Sequence, residues 1–232
     1  MAKAHEAEEK ERIVDRISRY IYASRYFLIV LLIVFLAAVI GYFAYSEISK
    51  NVREKSTRLV ESAQVQYQAW LIHEDGDEKD KTREGLIAEL DQIIAQYPRQ
   101  YAAQRALFIK GSLFFEEKQW EGALIPLLQL ADSFPQSYLA QEALFFSGIA
   151  SEELGNLSQA LELYQRLTEE YPRSPRLPHA LFSQGRLLEI QGDKDEALRI
   201  YNILKLDHSY SNWTKLAVNR IIELQSAGEV EE

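Results

Sequence analysis

The chain has 232 residues, of which 47% are hydrophobic and 26% are charged, a balance typical of folded proteins rather than disordered ones. Its formal net charge of −9 argues against a nucleic-acid-binding protein, because neutralising phosphates requires clustered lysine and arginine. The absence of cysteine excludes disulfides, thiolate nucleophiles, cysteine-ligated zinc and the lipid-bearing cysteine of a bacterial lipoprotein.

A short N-terminal segment, residues 1–25, is followed by an apolar segment, residues 26–46. No charged residue lies between Arg25 and Glu47, and about 20 apolar residues in a helix are enough to cross the hydrocarbon core of a membrane. Tyrosines flank both ends of the segment, as in the aromatic belts of spanning helices. The pattern predicts one transmembrane helix. A cleaved signal peptide is the alternative, but its apolar core is usually shorter.

The charges that flank the apolar segment favour one orientation in the membrane. Four arginines precede the segment closely, and two lysines and two arginines follow it closely, so the near flanks balance. Lys3, Lys10 and the amino terminus add positive charge to the leading side, which favours a cytoplasmic N-terminus and an extracytoplasmic C-terminal domain. The reversed topology remains the alternative.

An internal repeat of 37 residues covers residues 98–209. Five kinds of position recur at this interval: prolines, glycines, two sets of alanines and phenylalanines. The prolines are Pro98, Pro135 and Pro172; the glycines are Gly111, Gly148 and Gly185; the alanines are Ala106, Ala143 and Ala180, then Ala123, Ala160 and Ala197; the phenylalanines are Phe108, Phe145 and Phe182. Within each unit, apolar residues recur twice at threes and fours, which predicts two helices per unit.

The segments on either side of the repeats are predicted to be helical as well. Residues 47–97 read as a linker helix and a degenerate first repeat, because the end of this segment copies the second-helix pattern before Pro98. Residues 210–232 read as a capping helix with an acidic tail. Stacked repeats need such a cap because no hairpin can bury its own apolar face.

The repeat resembles the tetratricopeptide repeat (TPR). That family's small residues fall on the glycines and on Ala123, Ala160 and Ala197, its aromatic residue on Tyr164 and Tyr201, and its terminal proline on Pro172. The resemblance implies an all-α fold, in which a single transmembrane helix precedes an α-solenoid of TPR-like hairpins with a C-terminal capping helix. The first clear copy departs from the pattern: Leu127 replaces the aromatic residue, Lys118 replaces the turn glycine, and Pro126 is expected to kink the second helix.

The sequence lacks recognisable motifs for catalysis, phosphate binding or metal binding. It contains no phosphate-binding loop, nucleophile elbow or HExxH motif, so we expect no enzyme activity, cofactor, resident metal or small-molecule substrate. The loop of residues 73–81 holds Asp75, Asp77 and Asp80, which could form a weak calcium site. A solvated acidic loop is the better interpretation of this segment.

The three phenylalanines of the repeat, Phe108, Phe145 and Phe182, are the candidate partner-binding residues. By resemblance to the family, their register faces the concave groove, where peptide segments of partner proteins bind. The alternative is that they pack between hairpins as core residues, and the sequence leaves both interpretations open. The family's clamp for acidic peptide ends does not transfer, because phenylalanine occupies the corresponding positions.

The layout of an N-terminal span followed by these repeats is similar to that of the YfgM-like family, ancillary subunits of the Sec translocon. This similarity implies a membrane-anchored scaffold or adaptor for other proteins on the periplasmic face of a bacterial inner membrane. Its work would be linked to protein translocation, periplasmic chaperones or envelope assembly. Two alternatives remain open: a cytoplasm-facing receptor that recruits soluble clients, and a structural subunit of a larger membrane complex.

Overall fold

The structure is a computed structural model that describes residues 2–72 and 76–229, and the regular secondary structure of these residues is entirely α-helical. The helices are α1 (Ala2–Ile72), α2 (Asp77–Gln96), α3 (Tyr101–Glu116), α4 (Trp120–Ser133), α5 (Tyr138–Glu153), α6 (Leu157–Glu170), α7 (Leu177–Ile190), α8 (Lys194–Asp207) and α9 (Asn212–Glu229). The predicted all-α fold is confirmed. Residues 73–75 and 230–232, which include Asp75 of the acidic loop and the end of the acidic tail, lie outside the described residues.

The chain divides into two compact units, residues 1–55 and residues 56–232. The first unit contains the N-terminal part of α1. The segment Ile29–Ile72 of this helix includes an 18-residue window with a mean hydropathy of 2.5 and no buried residue. The helix is therefore long and apolar enough to cross a membrane, and a signal sequence near the N-terminus has the same properties.

The second unit is a stack of helical hairpins. Each helix from α2 to α9 packs against the next one in the chain, and the first helices of neighbouring hairpins also touch, α3 against α5 and α7 against α9. Three overlapping apolar clusters follow one another along the stack, spanning residues 60–113, 107–187 and 177–221. Each hairpin thus buries its apolar face against its neighbours, as a solenoid requires.

The repeated small residues explain how closely the two helices of each hairpin approach. A Cβ atom added at Gly148 would lie 2.5 Å from Cε1 of Tyr164, and one added at Gly111 would lie 2.5 Å from Cγ of Leu127. The alanines at 123, 160 and 197 are fully buried on the facing helices. A larger residue at either glycine would overlap a side chain of the second helix unless that side chain moved.

The turns inside the hairpins share one geometry. Gly155 and Gly192 have φ values of 75° and 85°, in the left-handed region, and Lys118 occupies the equivalent turn with a φ of 56°. In each case the next residue donates its backbone N–H to the carbonyl five positions earlier, as in Asn156 to Ser151 (2.8 Å) and Gln119 to Phe114 (2.8 Å). These bonds close the first helix of each hairpin, and lysine adopts the conformation at a steric cost.

The remaining features are a proline inside the second helix of the first clear hairpin and the residues at the two ends of the solenoid. Helix α4 runs from Trp120 to Ser133 with Pro126 buried inside it. At the C-terminal end, Ala217 and Ile221 of α9 are buried against the last hairpin. At the N-terminal end, Asp77 and Asp80 lie in the first turn of α2, where carboxylates complement the helix dipole. The described residues contain no group of side chains suited to holding a metal ion.

Candidate partner-binding groove

A row of aromatic rings crosses the hairpins on the side of their first helices. We call it the aromatic row, and its members are Phe108, Phe115, Trp120, Phe145, Phe146, His179, Phe182 and Trp213. Ring centroids of successive members are close together: 4.9 Å for Phe115 and Phe146, 4.7 Å for Phe145 and His179, and 3.6 Å for the stacked pair His179 and Trp213. Helices α3, α5, α7 and α9 are therefore linked by one chain of contacting rings.

The three predicted phenylalanines occupy two different environments in this row. Phe145 is 2% exposed and packs in the central apolar cluster. Phe108 and Phe182 are half-buried, and each lines a cavity on the groove side. The structure thus places Phe145 beneath the surface that Phe108 and Phe182 help to form.

The first cavity, which we call the N-terminal pocket, has a volume of about 280 Å³, and its surface is more apolar than polar. Its walls include Tyr67, Phe108, Ile109, Phe115 and Phe146, with Glu116 as its charged residue. Burial and the nearby charge of Glu116 raise the pKa of Tyr67 to about 12, so its hydroxyl stays protonated at neutral pH. The pocket is a size that accepts a large apolar side chain.

The second cavity, the C-terminal pocket, also has a volume of about 280 Å³ but is mainly polar. It is lined by Glu152, Glu153, His179, Arg186 and Trp213, among others. Burial, followed by the charge of Arg176, lowers the pKa of His179 to about 4. The imidazole is therefore neutral at physiological pH and stacks on the indole of Trp213.

A tyrosine, a glutamate and an arginine form the wall of the C-terminal pocket. The hydroxyl of Tyr164 donates to Oε1 of Glu152 at 2.8 Å, and Arg186 of the next hairpin forms an ion pair with the same carboxylate. Burial and the charge of Glu152 raise the pKa of Tyr164, which keeps the hydroxyl a donor. The set ties the two helices of one hairpin to the next hairpin.

The same polar set recurs at the end of the solenoid. The hydroxyl of Tyr201 donates to Oε1 of Glu189 at 2.5 Å, and Arg220 of α9 pairs with that carboxylate. Burial acts to raise the pKa of Glu189, but hydrogen bonds from Arg220 and Tyr201 lower it overall. The carboxylate is therefore charged when the cap is docked.

The first clear repeat replaces this polar set with apolar residues at all three positions. Thirty-seven residues before Glu152, Tyr164 and Arg186 the chain carries Phe115, Leu127 and Ile149. Leu127 is fully buried, and Phe115 is half-buried in the wall of the N-terminal pocket. The two halves of the groove consequently differ in chemistry: the N-terminal half is apolar and the C-terminal half is crossed by ion pairs.

Comparison with known proteins identifies the family. Residues 80–220, more than half of the chain, match the family described as "T7SS, ESX-1 secretion system protein EccA1, N-terminal domain". The chain belongs to this EccA1 N-terminal domain family. No curated protein matches the sequence.

Solved structures similar to this chain include a protein with TPR-like repeats. One is a Podospora anserina protein described as a kinesin light chain with nearly identical TPR-like repeats, which is 11% identical with a TM-score of 0.52 over 76% of this chain and 88% of that one. Another is MamA from Desulfovibrio magneticus RS-1, which is 16% identical with a TM-score of 0.46 over 65% of this chain and 78% of that one. The first likeness confirms a TPR-like fold, and neither bears on the YfgM-like resemblance.

Several groove residues of the EccA1-type domain were missed by sequence reasoning. The three repeated phenylalanines lie on α3, α5 and α7. Phe115 and Phe146 do not recur at the repeat interval, and Trp213 lies in the capping helix outside the repeat. A signal for Phe115 was available. Glutamate precedes the repeat tyrosine by 12 residues in both later repeats, as Glu152 and Glu189, and where Leu127 replaces the tyrosine the residue 12 positions earlier is Phe115.

Proposed function

We propose that this protein is a membrane-anchored scaffold that holds segments of other proteins in the aromatic groove of its repeats. The observation that carries the proposal is the N-terminal pocket, an open cavity walled by Phe108, Phe115 and Phe146. Large apolar cavities on the surface of a stable solenoid are sites where a partner's side chain can be buried.

The anchor in this proposal is the apolar part of α1, followed by repeats on the extracytoplasmic face of a bacterial inner membrane. The length and hydropathy of the helix support a membrane span, and the positive charges of the leading segment support the orientation. The family's description names a secretion system, which supports a link to protein translocation. Partners would then be translocated chains, chaperones or envelope assembly factors.

Protease accessibility of a C-terminal tag on the full chain tests the location. We expect digestion of the tag only after the outer barrier is opened, with the inner membrane still intact. Protection until the inner membrane is broken would reverse the topology and leave a cytoplasm-facing receptor in place of the periplasmic scaffold. Release of the tagged chain from the membrane by alkaline extraction would contradict the anchor itself.

A further inference from the structure

Two exposed carboxylates border the groove, and the packing of its apolar walls does not account for their position. Glu116 is the last residue of α3 and Glu153 is the last residue of α5, one repeat interval apart. Both side chains are exposed, and each borders one of the two pockets. Among the described residues neither has an ion-pair partner.

The other carboxylates on these helices are already paired within the fold, whereas Arg105 keeps its positive charge because its partner Gln64 is neutral. Glu142 pairs with Arg176 at 2.9 Å, and Arg105 donates to Gln64 at 3.1 Å. On the first helices the remaining paired side chains are Lys110 with Asp91, Arg186 with Glu152, and Glu189 with Arg220. Glu116 and Glu153 are thus the carboxylates of α3 and α5 left for an external cation.

The ends of the helices strengthen the negative potential at both sites. A carboxylate in the last turn of a helix adds to the negative end of the helix dipole and slightly destabilises the fold. The whole unit is acidic as well, since residues 56–232 contain 28 acidic and 17 basic residues, a net charge of −11. Two such carboxylates, one beside each pocket, are unfavourable for folding alone but favourable for binding a cation.

We propose that the groove binds a segment carrying a bulky apolar side chain and two basic residues. The apolar side chain would enter the N-terminal pocket between Phe108, Phe115 and Phe146, and the basic residues would pair with Glu116 and Glu153. This inference rests on the proposed function and names the chemistry of the partner.

The repeat geometry sets the spacing of the basic residues. Helices α3 and α5 are in contact, and packed helices lie about 8–10 Å apart. An extended chain covers about 3.3 Å per residue, so basic residues three positions apart match the two carboxylates. The third repeat carries Ile190 at the equivalent position, with 56% of its surface exposed, and the basic pattern of the ligand ends there.

Binding of designed peptides to the full chain in detergent micelles tests this inference. The probes are labelled ten-residue glycine–serine peptides with one phenylalanine and two lysines three positions apart, and matched peptides with glutamates in place of the lysines. We expect the lysine peptide to bind at least about 10-fold more tightly than the glutamate peptide at low salt, and to weaken as salt rises. Equal binding of the two peptides would overturn the inference.

Single carboxylate replacements locate the effect. Glu116→Gln and Glu153→Gln should each weaken the lysine peptide about 2- to 5-fold, as expected for exposed ion pairs. Glu162→Gln, which removes an exposed carboxylate of α6 that borders neither pocket, should leave binding unchanged. The first two variants should melt no lower than the native chain, and a lower melting temperature would assign these carboxylates a structural role instead.

The outcomes separate this inference from the scaffold proposal. If the glutamate peptide binds as well as the lysine peptide and Phe115→Ala abolishes both, the groove is a binding site but its preference for basic segments is wrong. If no peptide binds and the chain associates only with itself, both the preference and the peptide-binding groove are contradicted.

Discussion

The first clear hairpin, α3 with α4, has the same backbone pattern as the two hairpins that follow it. It differs from them in the side chains that join its helices to each other and to the next hairpin. In the later hairpins a tyrosine of the second helix reaches a glutamate of the first, and an arginine of the next unit closes the set. In the first hairpin Phe115, Leu127 and Ile149 take these positions. The same hairpin also departs from the pattern at Lys118 and Pro126. Departures from a repeat concentrate where function competes with regularity, and one of these departures, Phe115, is a wall of the N-terminal pocket.

The largest expected effect comes from introducing the tyrosine of the later hairpins into the first hairpin. Leu127→Tyr places a larger ring and an unpaired hydroxyl among apolar residues, and it should destabilise the chain by about 2–4 kcal/mol. Thermal unfolding of the full chain in micelles, followed by circular dichroism, measures the change.

Adding Phe115→Glu and Ile149→Arg to Leu127→Tyr supplies the missing polar partners. This triple variant should recover at least half of the lost stability, and it should also lose peptide binding because Phe115 is a wall of the N-terminal pocket. If the triple variant is less stable than Leu127→Tyr alone, the polar residues of the later hairpins cannot replace the apolar residues of the first one, and the proposed equivalence of the three positions is wrong.

The second-largest effect is a dependence of the folding stability on pH, which we expect to arise from the C-terminal half of the groove. The pKa of His179 is about 4 in the folded chain against about 6.5 in an unfolded one, so the unfolded state binds the proton first. Stability from this group is intact above pH 6.5 and is lost as pH falls from 6.5 to 4, by about 2 kcal/mol after allowance for solvent screening.

His179→Phe is the matched control, because it keeps a ring against Trp213 without a titrating group. Melting temperatures at pH 7 and pH 4 should fall less in this variant than in the native chain. Glu189, whose pKa is lowered overall by Arg220 and Tyr201 although burial opposes this, adds an acid-induced loss common to both chains. Equal falls in the two chains would contradict the assignment to His179.

A third comparison concerns the glycines at the helix crossings. Gly148→Ala should cost about 1–2 kcal/mol, because overlap with the hydrogen-bonded ring of Tyr164 outweighs the helix preference of alanine. Gly111→Ala should be nearly neutral, since the flexible side chain of Leu127 can move away from the new methyl group. Unfolding of both variants under the same conditions tests the difference, and a larger cost at Gly111 would be the contrary result.

The smallest effect lies in the turn of the first hairpin. Lys118→Gly removes the steric cost of a side chain at a φ of 56° and should stabilise the chain by about 1 kcal/mol. The equivalent turns already have Gly155 and Gly192, so Gly192→Lys should cost a similar amount. If Lys118→Gly lowers stability, the lysine side chain makes a favourable contact that the turn geometry does not reveal.

The fold could be predicted from the repeat, but several residues of the groove could not, because they do not recur at the repeat interval. Glycine and proline spacing and helical periodicity were enough to predict the solenoid, its cap and the departures at Lys118 and Leu127. The environment of Phe145 could not be predicted, because a side chain at that register is core or groove depending on neighbours such as Phe146 and His179. Trp213 could not be predicted for another reason: its stacking on His179 joins residues 34 positions apart, one in a repeat helix and one in the capping helix outside the repeat.

Site-specific photo-crosslinking tests the central claim most directly. A photoreactive phenylalanine analogue would replace Phe115 in the N-terminal pocket or, as a control, Leu206, which is 77% exposed on α8 and borders no described pocket. We expect a discrete adduct with another protein from position 115 in intact cells, reduced by the Phe146→Ala change in the adjoining wall, and none from position 206. Equal adducts from both positions, or an adduct from position 206 alone, would contradict the groove as the partner-binding surface.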